Sequence, residues 1–371
     1  MAIGLHIDAA NLGIFAIDNL TVNGGDTSVK LSGGTLLAKN LVSFNSTENG
    51  VLVDYPVGGA NGSCRIDEGG ILSFTYFAPP LTPWCGVKIV NGGSHVLKSI
   101  TIIGRSGIDP LLPNSFGYRL GGPLDGLSTT EVFDSLVQGC ENGALLGDTN
   151  EQVTDVTVRD CSFFQCSGDG IRIGNKLSTT CVVSGNNIVA QELAPRIPSG
   201  IVINGNNHRI SDNDVDMSGV NPATSAVCGQ FGTAAKTALY LAVSNNVMKA
   251  SSASAVMVVT GCSNSAFTGN NLEKLSIDAT PVLDATANAS GNTYAANIVR
   301  NPGDPASPTE AIRIQGNLNA ISGNRTRTNV GVSGINLLGV TNTAVANVCE
   351  NAPAILPVSF VPGNIVGLNA A

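Results

Sequence analysis

The chain has 371 residues, a formal net charge of −8 and a composition dominated by small and apolar residues, with 44 glycines, 43% apolar residues and only 12% charged residues. This length allows one elongated domain or two compact ones, and the turn-forming composition favours a repetitive all-β architecture. The negative charge argues against a nucleic-acid partner, because such binding depends on clustered Lys and Arg. The sequence has no uninterrupted run of about 18 apolar residues, which argues against a membrane span.

The start of the chain and its cysteines bear on the compartment in which it folds. Residues 1–17 lack a basic segment and place Asp8 within an apolar stretch, which is atypical of a secretory signal. The nine cysteines include no Cys-x-x-Cys pair, so we expect buried free thiols rather than disulfides or a zinc site. These features predict folding in a reducing compartment, with a secreted, extracellular protein as the alternative. No cofactor is predicted.

One sequence frame recurs along the chain at intervals of 22 to 32 residues. It reads hydrophobic, two small or polar residues, Asn, any residue, hydrophobic. Weaker copies centre on Ser135 and Cys161. The central residues of the frame are Asn186, Asn213, Asn245, Asn270, Asn292, Asn324 and Asn347.

A column of alternating apolar residues precedes these frames and is usually opened by Gly or Ala. Its pairs are Val87 with Ile89, Ile171 with Ile173, Ile201 with Ile203, Val256 with Val258, Ile312 with Ile314, and Ile335 with Leu337. Two short alternating strands per repeat cannot bury an apolar face alone, but they can do so by stacking on copies of themselves. The sequence therefore predicts an all-β solenoid over residues 1–350, with roughly 14 coils and an internal ladder of Asn side chains.

The repeats resemble a known superfamily. Residues 200–213 read GIVINGNNHRISDN, and residues 311–324 read AIRIQGNLNAISGN. These stretches resemble the repeats of pectate-lyase-like parallel β-helix proteins, which include phage tailspikes and other virion β-helices. The resemblance extends over residues 86–349 and implies a right-handed, single-stranded parallel β-helix. It selects no activity, because the same coil serves lyases, hydrolases, epimerases, adhesins and structural virion parts. Partial matches to polygalacturonase and pectate-lyase motifs at Asp169 and Arg196 are incomplete, so neither mechanism is carried over.

Loops and the carboxy-terminal segment complete the predicted organisation. Excursions from the coil are expected at residues 105–130, 191–199, 218–236 and 301–309. Residues 351–371 form an uncharged tail, for which two roles remain open: contact with other copies of the chain, or capping of the last coil. Between residues 328 and 371 only Glu350 is charged. This low charge begins before the tail and favours a homotrimer.

The richest group of ionisable residues lies in the middle of the sequence. Asp214 and Asp216 flank the apolar Val215, so both should project outward from one strand, about 6.5 to 7 Å apart. That separation falls in the range of inverting glycosidases, in which one carboxyl protonates the leaving oxygen and the other activates water. Asp169 or Glu192, on adjacent coils, is an alternative for either role. The competing interpretation is a set of solvated surface acids or a weak cation site.

Four further residues are candidates for substrate binding: Arg172, Arg196, His208 and Arg209. Arg172 should face outward, where it could contact an acidic sugar or pair with Asp169. His208 and His95 lie in turn segments, which favours surface positions, with a general base as the alternative. Because His6 is the only other histidine, no histidine metal site is predicted.

Three functional classes follow from these features. The leading hypothesis is a virion appendage or surface protein similar to a tailspike, assembled in a host cytoplasm. It would be a rigid oligomeric rod that binds host polysaccharide or displays a surface toward it. Other virion proteins are further possible partners. The first alternative is a polysaccharide depolymerase, hydrolase more than lyase, that uses the carboxylates above. The second is a structural decoration or connector protein that has no ligand.

Overall fold

A computed structural model describes residues 3–8, 13–55, 62–72, 83–91, 93–104, 115–122, 127–190, 197–235, 237–302, 309–328, 332–351 and 357–371. The chain divides into two compact units, Met1–Arg196 and Ile197–Ala371, called unit 1 and unit 2 below. Each unit is a parallel β-solenoid, and its described residues contain no helix. The predicted all-β solenoid is therefore confirmed.

Strands that open each turn stack in parallel to form column 1 of each unit. In unit 1 they are Ile3–Ile7, Thr27–Leu31, Asn49–Asp54, Cys85–Val90, Phe116–Leu120, Asn142–Leu146 and Asp169–Ile173. In unit 2 they are Ser199–Ile203, Val227–Phe231, Met257–Val259, Leu283–Ala285, Ile312–Ile314, Ile335–Leu337 and Val358–Phe360.

Two further stacks, columns 2 and 3, follow column 1 and meet each other at a corner. In unit 2, column 2 comprises Arg209–Ser211, Ala242–Ser244, Ala266–Thr268, Thr293–Ala295, Ala320–Ser322, Thr343–Val345 and Ile365–Val366. Column 3 of unit 2 comprises Asp214–Met217, Val247–Ala250, Asn271–Lys274, Ile298–Arg300, Arg325–Arg327 and Val348–Glu350. Shorter strands, Gly205–Asn206, Ala238–Leu239 and Cys262–Ser263, connect columns 1 and 2 there.

In unit 1, three long strands run through both columns and bend at one residue with a positive φ. They are Thr35–Phe44, Ser63–Leu72 and His95–Ile103, and they bend at Asn40, Glu68 and Ser99. The separate strands of column 2 are Ile14–Asp18, Thr130–Phe133, Thr157–Arg159 and Val182–Ser184. Those of column 3 are Thr21–Asn23, Leu136–Gln138, Ser162–Cys166 and Asn187–Ala190. Leu127–Ser128 and Val153–Thr154 form a short additional pair.

The length of a turn varies more than a uniform repeat would. Thr27 pairs with Asn49, an interval of 22 residues, whereas Asn49 pairs with Cys85, an interval of 36. Column 1 has seven strands in each unit, but the last turn of unit 2 has no column 3 strand, so the number of complete turns is slightly lower than the roughly 14 coils predicted. Each unit nevertheless keeps its strands in register, because the extra residues lie in the connections between columns.

Alternating residues of column 1 form one wall of the core. Val87, Ile89, Ile171 and Ile173 are fully buried, as predicted. The glycine that opens many of these strands also points inward: a Cβ on Gly143 would lie 2.4 Å from Cδ1 of Phe163 in column 3 and 2.4 Å from a backbone oxygen of the next turn. Glycine recurs here because a side chain would collide with the opposite wall.

The internal Asn ladder is present, and there are two such ladders in unit 2. The long ladder lies at the corner between columns 2 and 3. After the first member, each Oδ1 accepts the backbone N–H of the ladder residue one turn earlier. The members are Asn213, Asn246, Asn270, Asn297, Asn324, Asn347 and Asn369. The short ladder precedes column 2 and contains Asn292, Asn319, Asn342 and Asn364. In unit 1, Asn186 likewise accepts the N–H of Cys161 at 3.1 Å.

Two predicted members of the ladder were misplaced. Asn245 is adjacent to the true member, Asn246, and instead forms the outer turn with a φ of 57°. Asn292 belongs to the short ladder, and Asn297 takes its place in the long one. The frame could not separate these sites, because each turn of this region has two corners at which an inward amide satisfies the backbone. The predicted inward pair Val256 and Val258 is also shifted by one residue. The inward residues of this strand are Met257 and Val259, and Val258 between them is half-buried.

The predicted loops lie partly outside the described residues. The loop residues that are not described are 105–114, 123–126, 191–196, 236 and 303–308. Of the predicted excursion at 218–236, Val227–Phe231 is a strand of column 1.

All nine cysteines are buried and free, as predicted. Burial raises the pKa of Cys64 and of Cys166 to about 12, so these thiols stay protonated near neutral pH.

Candidate functional site

Asp214 and Asp216 lie on the first column 3 strand of unit 2. Val215 between them is fully buried, Asp214 is exposed and Asp216 is half-buried. Asp216 Oδ1 accepts the backbone N–H of Ser218 at 2.7 Å, which fixes this carboxylate beside the turn that follows. Both carboxylates therefore face outward from a single strand, as a pair of acids on the flank of the solenoid requires.

Asp216 begins a row of charged side chains that continues in register along column 3. The members of this row are Asp216, Lys249, Glu273, Arg300, Arg327 and Glu350. All six are half-buried or exposed, and the sign of the charge changes repeatedly along the row. Successive members lie one turn apart, about 4.8 Å. The row thus offers a regular series of hydrogen-bond donors and acceptors.

Small outward residues of column 2 lie across the corner from this charged row. They are Ala242, Ala266, Thr293, Ala320 and Thr343, with Ser244, Thr268, Ala295 and Ser322 two residues further along the same strands. Their short side chains leave a flat surface. The outward residues that open the column 3 strands lie between this surface and the charged row: Asp214, Val247, Asn271, Ile298, Arg325 and Val348. We call the small residues and the charged row together the outward strip of unit 2.

The histidines predicted at the surface lie in the interior. His208 is buried, and its Nε2 lies 3.0 Å from the backbone oxygen of Asn204. His95 is also buried, and its Nδ1 accepts the backbone N–H of Cys64 at 3.1 Å. Both histidines lie at the inward corner before column 2, the position at which the short ladder has Asn. Side chains at this corner point into the core, so a turn position there does not mean exposure. Burial lowers the pKa of His95 to about 4.

Asp169 and Arg172 pair with each other in unit 1. Arg172 is exposed and Asp169 is nearly buried, and the guanidinium contacts the carboxylate through Nε. Pairing was one of the two alternatives for Arg172, and it is the one observed. Arg209 is exposed at the start of a column 2 strand in unit 2. Glu192 and Arg196 lie outside the described residues.

A buried lysine in unit 2 was missed by the sequence analysis. Lys274 takes an inward position at the end of a column 3 strand, and its Nζ donates to Asp278 Oδ1 at 2.6 Å and to the backbone oxygen of Ser254 at 3.2 Å. Burial lowers the pKa of Lys274. Burial would raise the pKa of Asp278, but hydrogen bonds from Lys274 and from the hydroxyl groups of Thr280 and Ser276 lower it. Its inward parity in the strand, shared with Leu272, was the available signal.

The described residues contain neither a metal-binding group of side chains nor a membrane-spanning helix. No group of three or more His, Cys, Asp or Glu side chains among them is arranged to hold a metal ion. Nor does the described part of the chain include a helix with the length and apolarity needed to cross a membrane.

Comparison with solved structures bears on the fold. The periplasmic alginate epimerase AlgG has a TM-score of 0.58 at 11% identity, covering 99% of this chain and 84% of that one. The Agl-KA catalytic domain has a TM-score of 0.55 at 12% identity, covering 91% and 62%. This chain is a parallel β-helix protein. The Dettilon tailspike protein gp208 has a TM-score of 0.47 at 13% identity, covering 97% and 63%. No protein-family model matches the β-helix chain, and no curated protein matches its sequence.

Proposed function

We propose that this β-helix binds polysaccharide along the outward strip of unit 2. The observation that carries the proposal is the register of the strip, in which a row of charged side chains and a flat surface of Ala, Ser and Thr run in parallel with one row of outward residues between them. The flat surface lets an extended polymer approach closely. The charged row then supplies donors and acceptors for hydroxyl groups, which are both donors and acceptors themselves.

The repetition of the strip suits a polymeric ligand. Because the same contact recurs on successive turns, several weak contacts to one chain add through a high effective concentration. A net charge of −8 and the mixed signs of the row favour a ligand recognised by hydrogen bonds over one held by charge alone. The similarity to alginate epimerase AlgG is limited to the fold and does not select the sugar.

The biological setting proposed for this binding is a virion appendage or surface protein, assembled as a homotrimer. Apolar side chains exposed on the last turns support contact between copies: Ile365 is 67% and Leu368 is 92% exposed. The alternative role of residues 351–371, capping, is supported by Val358–Phe360, which pairs with Ile335–Leu337. Light scattering at two protein concentrations tests the assembly, and a monomer at both would refute the trimer.

Retention on immobilised polysaccharides tests the binding. The panel comprises dextran, galactomannan, polygalacturonate, alginate and capsular polysaccharides. We expect the double variant Lys249→Gln, Arg300→Gln to weaken retention about tenfold, since hydrogen bonds to charged groups contribute about 1.5 kcal/mol or more. Lys176→Gln, an exposed lysine of unit 1, is the matched control and should bind normally. If no member of the panel retains the natural protein, the binding function is wrong and the purely structural class is favoured.

A second candidate function is depolymerisation, favoured by the outward pair Asp214 and Asp216 on either side of the buried Val215. In this hypothesis one carboxyl protonates the leaving oxygen and the other activates water. The same panel is assayed for new reducing ends and for the absorbance of unsaturated sugars. Cleavage that disappears in Asp214→Asn and Asp216→Asn would support the hydrolase, and binding without cleavage would refute it.

A further inference from the structure

Six outward side chains of unit 1 form a grid of two rows on three successive strands of column 2. The first row is Ala16, Leu37 and Arg65, and the second is Asp18, Lys39 and Asp67. Together they line a surface hollow. Strands of adjacent turns lie about 4.8 Å apart, and residues two apart on a strand about 7 Å, so the grid measures about 10 by 7 Å.

The polar groups of the grid retain hydrogen-bonding capacity. Arg65 Nε donates to Asp67 Oδ2 at 2.6 Å, but the other carboxylate oxygen, Oδ1, is buried and has no hydrogen-bond partner among the described residues. Asp18 and Lys39 are exposed neighbours in register, yet the described atoms form no ion pair between them. A buried oxygen without a donor is unfavourable, and a rotation of the carboxylate that brings Oδ1 to the surface lets a ligand donate a hydrogen bond to it.

The chemistry of the grid narrows the class of ligand. Two carboxylates and two cations cancel, which favours a ligand without net charge. Leu37 is 42% exposed in the middle of the first row and offers an apolar contact beside these polar groups. A ligand with many hydroxyl groups and an apolar C–H face matches this combination of a small apolar surface and convergent polar groups.

We propose that the grid is a subsite for a neutral sugar residue. The Asp67 carboxylate turns so that Oδ1 accepts a sugar hydroxyl, Lys39 and Asp18 bond to neighbouring hydroxyls, and Leu37 packs against the C–H face of the ring. A charged group on the sugar would lie close to both signs of charge, so its attraction to one pair is offset by repulsion from the other and adds little affinity. The subsite rests on the proposed function, because its ligand is part of a polysaccharide.

Titration calorimetry with the full chain tests the subsite, with dextran and galactomannan as neutral probes and polygalacturonate and alginate as acidic ones. We expect a neutral probe to bind, and Asp67→Asn and Lys39→Gln each to weaken that binding about tenfold. The matched control is Glu131→Gln, which lies in the row of Leu37 and Arg65 two turns further on and is also exposed. Lys39 is exposed, so its variant should fold even if Asp67→Asn does not.

The possible outcomes separate the subsite from the proposed function. If neutral probes bind equally well to the natural protein, Asp67→Asn and Lys39→Gln, but more weakly to the unit 2 double variant, the subsite is wrong and polysaccharide binding stands. If only acidic probes bind, the assignment to a neutral sugar is overturned. If neither kind of probe binds the natural protein, the proposed function and the subsite both fail.

Discussion

Replacing Asn270 by alanine should destabilise unit 2 far more than a typical substitution, because it removes a central member of the long ladder. Asn270 is fully buried. Its Oδ1 accepts the backbone N–H of Asn246 at 3.1 Å and the side-chain amide of Asn246 at 2.9 Å. Its Nδ2 donates to Asn297 Oδ1 at 3.0 Å and to the backbone oxygen of Val243 at 3.1 Å. Four hydrogen bonds are therefore lost at once.

The magnitude follows from what each partner retains. The side-chain amide of Asn246 still donates to Ile210, and Asn297 Oδ1 still accepts from the backbone of residue 270. The N–H of Asn246 keeps no acceptor, and a buried donor left without a partner costs about 1 to 3 kcal/mol. With about 1 kcal/mol for each of the three other weakened partners, the Asn246 amide, Asn297 Oδ1 and the Val243 oxygen, we expect a loss of about 4 to 6 kcal/mol.

Urea unfolding of the variant, followed by circular dichroism, measures this loss. Asn271→Ala is the matched control, because Asn271 faces outward and its side chain accepts only an exposed hydrogen bond from Arg300 at 3.2 Å. We expect that control to change stability by less than about 0.5 kcal/mol. If the two variants lower the midpoint equally, with unchanged dependence on urea, the ladder does not stabilise the solenoid and the reasoning is wrong.

Three further predictions follow from buried groups. Burial lowers the pKa of His95 to about 4, so only the unfolded chain binds this proton as the pH falls from 6.5 to 4. The free energy of unfolding should therefore be unaffected by His95 above pH 6.5 and fall by about 3 kcal/mol toward pH 4. His95→Asn should remove this decrease when unfolding is measured as a function of pH. Gly143→Ala should lower stability in urea by about 2 to 3 kcal/mol through collision with the opposite wall, whereas Gly70→Ala, where a Cβ meets nothing within 4 Å, should not. Lys274→Met should cost about 2 to 3 kcal/mol in the same assay by leaving Asp278 without its cation, and an unchanged midpoint would contradict that role.

The interior of this protein could be predicted from sequence because strand parity and turn chemistry both act locally. Val87 and Ile89 alternate with outward residues, and Asn213, Asn270 and Asn324 each follow a short apolar strand, so their inward positions were correct. Local patterns fail where two equivalent residues are adjacent: either amide of Asn245 and Asn246 fits the frame, and only the positive φ of the former distinguishes them. A buried histidine at the same kind of corner is invisible to such patterns, since a turn usually means exposure.

The outward surface obeys a different rule, because its neighbours are set by the length of each turn rather than by parity. Asp18 meets Lys39 after 21 residues, and Lys39 meets Asp67 after 28, so no constant period would bring the three together. A change of one residue in either connection could be absorbed in the connection itself, without altering the strands. In unit 2, a longer slip of a strand against its neighbours would also break the interior ladders, whose amides bond to the turns before and after them. The buried amides therefore hold the register in which the side chains of the outward strip meet. A loss of ladder contacts should consequently weaken the proposed polysaccharide binding even though no ladder residue belongs to the strip.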